Sequence, residues 1–506
     1  MSTTGNLGDL TDRDADPNAT AMIDVGDWQA PLTFTHGEID ERANAVARAL
    51  LAQGHAPGDR VAILAANSAD YLVAYFGIMR AGLVAVPINW KFPKETIVYI
   101  LLDAEVKLAF IDEACRPRCP GGLPTVTFGR EFEGFLDQGD FDIFRPATDG
   151  IAMLLYTSGS TGRPKGVLLT HRGRLWAIGA RMRGIGDNAD RHRFLVAAPL
   201  YHGNALGVSM LAQAVHASLV ILPQFTAERF IQAIERFRCT WLTSVPTMIA
   251  LVAREEELLA RTDVSSVEVV RMGSSVATRK HFDIIRRFFP GARVAYAYGS
   301  SEAGPCVFGP HPDGLATPDL SIGYPFTDVK LRLVVDGDQD AVQGELEVLS
   351  PANTPGYHNL ADLTARAFTP DRYYRTGDVM RRGENGFFFF VGRVDDMIMC
   401  NGENVYPAEV ERVLASHPDI EQACVVPVAD EIRGQMPVAF VVPINGAEID
   451  VDTVKRHAIA NGPANQHPRE IWFVDALPLA STNKIDRKAL TERAETMADT
   501  GKAAGR

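Results

Sequence analysis

The stretch YTSGSTGRPKGVLLTH (156–171) follows directly on the apolar run IAMLL (151–155), and its reading decides what kind of chain this is. Glycines at 159, 162 and 166 let backbone N–H groups come close to phosphate oxygens. Thr157, Ser158, Ser160 and Thr161 add hydroxyls, and Lys165 adds a positive charge. Together they predict a cradle for a triphosphate. A P-loop ATPase needs Gly directly before its Lys and Ser or Thr directly after; here Pro164 precedes Lys165 and Gly166 follows, so that pattern fails. A plain flexible linker would show loose Gly/Ser composition instead of the ordered string TSGSTGxPKG.

Upstream, LTFTHGEIDERANAVARALLAQG (32–54) sets Thr35 and Glu38 at capping-box spacing. It then places Ile39, Val46, Ala47 and Leu50 on one face, predicting an amphipathic helix that ends at Gly54. DRVAILAAN reads as a buried strand, ADYLVAYFGIMRAG as a helix and LVAVPIN as a strand. The alternation resumes through ILPQFTAERFIQAIERFRCTWLTSVP, as in parallel α/β sheets. The expected fold class is therefore α/β, with a large amino-terminal body of mixed and parallel sheets flanked by helices.

After Gly392 the texture changes. A helix at PAEVERVLASHP, strands at EQACVVPVAD and PVAFVVP, and a last helix at DRKALTERA predict a small mobile α+β carboxy-terminal lid. The divisions are a flexible terminus at 1–20, a body at 21–393 and a lid at 394–506. The first 20 residues are polar and acidic, without the basic start or apolar run of a secretory signal, and are expected to fray.

Bulk composition narrows the function classes. The length of 506 residues exceeds what one core usually supports, and 46% hydrophobic with 22% charged residues is a globular composition. A net charge of −13 opposes a nucleic-acid surface but leaves room for a local basic pocket. The apolar stretch 207–223 is broken by Gln213 and His216 and falls short of a membrane span, so a cytoplasmic protein is expected. Six scattered cysteines, with Cys115 and Cys119 lacking a second pair of ligands, read as reduced structural thiols.

From 156–171 outward, over about residues 20 to 495, the sequence resembles the adenylate-forming superfamily of acyl-CoA synthetases, coumarate CoA ligases, luciferases and peptide-synthetase adenylation domains. In that resemblance 157–162 (Thr157, Ser158, Gly159, Ser160, Thr161, Gly162) and Lys165 hold the nucleotide phosphates. RMGSSVATR supplies Ser274 and Ser275 along the adenine and acyl site. AYAYGSSEAG supplies Tyr296, Ala297, Tyr298, Gly299 and Ser301, with Tyr298 stacking on adenine and Glu302 holding Mg²⁺ beside Thr157. The family commonly has Thr where Ser301 stands, and Gln or Asn where Tyr296 stands. YRTGD supplies Asp378 for the ribose hydroxyls, and GRVDDMI supplies Arg393 and a hinge at Asp395.

The resemblance also implies that Gly402 in MCNGENVYPAEVE lets the pantetheine pass, and that Lys484 in PLASTNKIDRKAL is the catalytic lysine. Asn483 stands there in place of the usual Gly, and Met399 in place of a frequent Lys. APLYHGNALG puts His202, Gly203 and Asn204 beside the acid, with Ser275 and Gly299. His202 is read either as a gate or as an interior hydrogen-bonded histidine. No Asp stands where amino-acid-activating relatives hold an ammonium group. The implied reaction joins a carboxylic acid to coenzyme A with ATP and Mg²⁺, catalysed by Lys484, Glu302, Lys165 and His202. The acid leans towards an aryl or short-to-medium-chain one. Loading of a carrier protein, nucleotide binding without turnover, and a homodimer stay open.

Overall fold

The computed structural model describes residues 4–157, 163–186, 188–430, 433–444, 447–463, 466–480 and 485–504, with side chains described up to residue 498. Among them the strands form four sheets. One six-stranded sheet runs in the order Thr125–Thr127, Leu108–Ile111, Arg60–Leu64, Val84–Pro87, Ile151–Thr157, Lys165–Thr170. It is parallel except for its last, antiparallel pair. A seven-stranded sheet runs Arg293–Ala297, Val269–Gly273, Trp241–Ser244, Arg193–Val196, Ser218–Ile221, Thr20–Asp24, Leu32–Thr35, again parallel up to its last pair.

The expected alternation of strand and helix is what builds these two sheets. Parallel strands need a helix on each crossover, and the sequence provides amphipathic ones. In the helix Ala227–Phe237, Phe230, Ile231, Ile234 and Phe237 are buried on one stripe, while Arg229 and Gln232 face out. The helix His36–Ala52 starts at the predicted capping box: Glu38 N–H donates to Thr35 Oγ1, and Thr35 N–H donates to the Glu38 carboxylate. A six-stranded antiparallel sheet, in which Gln343–Leu349 lies between Lys330–Val334 and Tyr374–Arg382, completes the part of the chain before Arg393.

Beyond it the hairpin Ile420–Asp430 and Gly434–Pro443 splits its side chains by the two-residue period of a strand. Val425, Ala439 and Val441 join Leu414 and Val454 on one face, whereas Cys424, Val426 and Phe440 join Leu490 and Ala494 on the other. This unit touches the preceding part through Arg254 and Glu421 (2.6 Å), Lys280 Nζ donating to Ile420 O (3.0 Å), and Arg412 donating to Phe390 O (2.8 Å).

The amino-terminal segment corrects an expectation. It was expected to fray over 1–20, yet Asn6 and Leu7 are fully buried and Leu10 is nearly so. The Asn6 amide donates to Met79 O (2.7 Å) and Phe144 O (2.9 Å), and Leu7 N–H donates to His171 Nδ1 (2.9 Å). The buried Arg80 reaches Gly8 O (2.8 Å) while pairing with Asp40 (2.7 Å). Two leucines spaced i, i+3 and a few long-range hydrogen bonds hold the segment, and neither is visible in its polar composition.

All six cysteines are free thiols, and no cluster of metal-ligating side chains occurs among the described residues. The stretch 207–223 divides between the helix Gly203–Ala214 and the strand Ser218–Ile221. No helix among the described residues is long and apolar enough to cross a membrane.

The anchor of Leu7 makes stability pH-dependent. Burial pushes His171 from the ordinary 6.5 down to about 4, so the native state keeps it neutral, as its acceptor role requires. Its contribution is full above pH 6.5 and is lost as pH falls through 4, because there the unfolded chain binds a proton that the folded one refuses. Urea unfolding followed between pH 7 and 4.5 should show this loss, and His171→Gln should flatten the slope by up to about 1.4 kcal/mol per pH unit. An unchanged slope would remove His171 from the anchor.

Candidate active site

The stretch 156–171 forms one side of a hairpin. Ile151–Thr157 pairs antiparallel with Lys165–Thr170, and Thr157 stands opposite Lys165. The chain therefore leaves the loop along a strand, and the helix His171–Ile185 begins only afterwards, unlike a P-loop, whose helix follows the glycines directly. Ser158, Gly159, Ser160, Thr161 and Gly162 lie outside the described residues. At the mouth of the loop Lys165 Nζ sits 5.8 Å from the centre of the Tyr357 ring. That phenol in turn donates to Glu302 Oε1 at 3.0 Å.

Tyr357 was not anticipated from the sequence, and it ties the lysine of one motif to the acid of another. Burial and the adjoining Glu302 carboxylate push its pKa up, so it keeps its proton and remains a donor. Tyr374, from the YRTGD motif, is displaced upwards by burial and then by the same carboxylate. Arg174, 6% exposed, donates to Ser301 O (2.7 Å) and holds the same turn from behind. Gly299 is sterically required: a Cβ there would stand 2.7 Å from Gly304 O, where the turn closes on itself.

Asp378 is buried and accepts from Tyr298 Oη and from Arg393 Nη1, the latter at 2.6 Å. Burial pushes its carboxyl pKa up, although Arg393 and Tyr298 pull it down. Glu302 also contributes to that rise, so the two acids belong to one electrostatic site. With two of about four lone-pair positions used, Asp378 keeps capacity to accept further hydroxyls. Tyr296 does not face outward for a base. Its hydroxyl donates to Ser275 O (3.2 Å) and accepts from Ala277 N–H (3.1 Å), which fixes the turn at 275–277. Ala297 pairs with Gly273 across neighbouring strands, and Ser274 takes a left-handed backbone with φ of 65°.

At the other end, His202 precedes the helix Gly203–Ala214, its ring 4.6 Å from that of Tyr201. Asn204 accepts from the guanidinium of Arg271, a second residue the sequence reading passed over. The available signal was a lone charge inside the buried strand Val269–Gly273.

Asn401 and Gly402 both have positive φ, 54° and 79°, and make the two-residue turn between Ile398–Cys400 and Glu403–Val405. Apart from its own residue and its two chain neighbours, no described atom lies within 4 Å of a Cβ built on Gly402. Asp395 lies in the exposed turn at 394–396, 3.7 Å from Arg393. Lys484 falls outside the described residues.

Residues 11–358 match the family described as AMP-binding enzyme, and 409–484 match the AMP-binding enzyme C-terminal domain. A feruloyl-CoA synthase from Amycolatopsis sp is 32% identical over 93% of this chain and 94% of its own length. A sulfoacetate–CoA ligase from Cupriavidus necator is 31% identical over 91% and 92%. The crystal structure of ATP-bound MatB from Rhodopseudomonas palustris superposes with a TM-score of 0.86 and 26% identity, covering 98% of this chain and all of the other. The chain belongs to the AMP-binding enzyme family, as an AMP-forming acid–thiol ligase that uses ATP and coenzyme A.

Proposed function

We propose that the chain adenylates an aryl or short-to-medium-chain carboxylic acid in the space between Lys165, Glu302 and Asp378, then transfers the acyl group to the thiol of coenzyme A. The carrying observation is that five separate stretches supply one connected set: Lys165 against Tyr357, Tyr357 on Glu302, and Asp378 joined to Tyr298 and Arg393. The relatives named above act on different acids, so likeness alone leaves the acid open within that range.

In the first half-reaction a carboxylate oxygen attacks the α-phosphorus of ATP and pyrophosphate leaves. Two anions must approach, so the protein's task is alignment and charge neutralisation. Asp378 accepts the ribose hydroxyls, and Arg393 keeps that carboxylate ionised and oriented. Lys165 and the loop at 157–162 hold the phosphates, and Lys484 brings a further positive charge to the developing transition state. Tyr298 and the turn at 273–275, braced by Tyr296, flank the base. His202, Gly203, Asn204, Ser275 and Gly299 line the acid. The donors Glu302 and Thr157 suit Mg²⁺: they are hard oxygens, one carboxylate and one hydroxyl, and Tyr357 engages only one oxygen of Glu302. Bound there with ATP, the ion would neutralise phosphate charge.

In the second half-reaction the thiol sulfur attacks the acyl carbonyl and AMP departs. Space for a Cβ at Gly402 suits a passing pantetheine, and a turn of the lid about Asp395 would bring its hairpin to the acyl-adenylate. Six free thiols suit a reducing compartment, and we place the enzyme in the cytoplasm.

A screen of pyrophosphate release over aryl, aliphatic and dicarboxylic acids, with and without CoA, tests the proposal; AMP and acyl-CoA should appear together. Lys484→Ala should slow acid-dependent pyrophosphate release by about a hundred- to a thousand-fold while thioester formation from supplied acyl-adenylate continues. Asp395→Pro should slow thioesterification more than adenylation, and equal slowing would refute the hinge. Tyr357→Phe should lower adenylation kcat/KM by about ten- to a hundred-fold through loss of its bond to Glu302, read by ATP–pyrophosphate exchange.

A further inference from the structure

Arg271 is a cation in an unusual place. It lies on the strand Val269–Gly273, second from the edge of the seven-stranded sheet and paired on both sides. Strand alternation puts its side chain on the same face as Gly273, at the acid end of the site. Its partner is the carbonyl oxygen of Asn204, a neutral acceptor, and the Asn204 amide nitrogen is buried with no hydrogen-bond acceptor among the described residues. Arg181, from the helix His171–Ile185, approaches the same place. Its Nη1 lies 2.9 Å from where a Cβ on Gly207 would stand, one helical turn beyond Asn204, so the glycine makes the room that the guanidinium occupies.

Neither Arg181 nor Arg271 forms an ion pair among the described residues. Arg181 donates only a long bond to Pro305 O (3.4 Å). Burial first, and then the charge of Arg181, pushes the Arg271 pKa down to about 9, which is the electrostatic signature of like charges gathered without a counterion. The helix Gly203–Ala214 directs its first N–H groups towards the same region, adding positive potential.

We propose that Arg271, backed by Arg181 and the Asn204 amide, binds a second anionic group on the acid substrate, a carboxylate or a sulfonate at the end remote from the carboxyl that is adenylated. Two residues along a strand span about 7 Å, so Arg271 lies that far from Gly273 and meets the far end of a short acid rather than its reacting carboxyl. A bidentate anion would accept from the guanidinium and from Asn204 Nδ2, supplying the charge and the acceptor that the protein withholds. Arg271 thus sets specificity.

The inference rests on the ligase reading above, and one experiment separates the two. Pyrophosphate release and acyl-CoA formation are measured with matched acids: butyrate, succinate and 3-sulfopropanoate, and benzoate with 1,3-benzenedicarboxylate. The wild-type enzyme should favour the members carrying a second anion by at least about tenfold in kcat/KM. Arg271→Met should lower their kcat/KM by about a hundredfold and erase the preference, and Arg271→Lys should restore part of it. Preference for the singly charged acids in both series would overturn the inference and leave the ligase reading intact. No pyrophosphate from any acid would overturn both. Should Arg271→Met fail to fold, the wild-type preference still decides.

Discussion

Thr354 stands where three distant stretches of the chain must be held together. It is 2% exposed; its N–H donates to Glu302 O at 2.7 Å, and its hydroxyl donates to Leu168 O at 2.6 Å while accepting from Gly356 N–H at 3.1 Å. Leu168 N–H and His358 N–H complete the seam through Gly356 O and Gly166 O. The phosphate-loop hairpin, the turn bearing Glu302 and the segment bearing Tyr357 thus share one set of buried backbone bonds. In a buried setting each such bond left unmade would cost about 1–3 kcal/mol, so the three segments hold position as a unit. This seam fixes the backbone positions from which Lys165, Tyr357 and Glu302 project.

Charge is distributed along the site by the same logic. Asp378 and Glu302 gather beside Tyr298, Tyr357 and Arg393, which meet them with donors, whereas Arg181 and Arg271 gather beside Gly207 and Asn204. Arg174 bridges the two regions, since its guanidinium sits within the field of both Glu302 and Arg181. Burial, with the charge of Arg181 as a smaller cause, pushes Arg174 down to about 10, a cost the fold tolerates because the group satisfies Ser301 O.

Local signals made most of the fold readable. The capping box at Thr35, the single apolar stripe of Ala227–Phe237 and the two-residue alternation of Ile420–Asp430 are short-range patterns, and each formed as its residues dictate. The site was legible where it sits in compact motifs, as for Asp378 with Arg393 and for Lys165 opposite Thr157. What escaped was pairwise and remote. Tyr357 meets Glu302 across 55 positions, Arg271 meets Asn204 across 67, and Arg174 meets Ser301 across 127. No periodicity announces such pairs. The amino-terminal anchor escaped for the same reason, its two leucines standing in a polar stretch whose partners lie far downstream.

That anchor carries a consequence for biosynthesis. Leu7 waits for His171, 164 positions later, and Thr11 for the amide of Gln213, 202 positions later. At a translation rate of about 5–20 residues per second, these residues remain undocked for roughly 10–40 s after they are made. The nascent chain must therefore close loops of 164 and 202 positions before this segment settles, which delays its burial until both partners have been made.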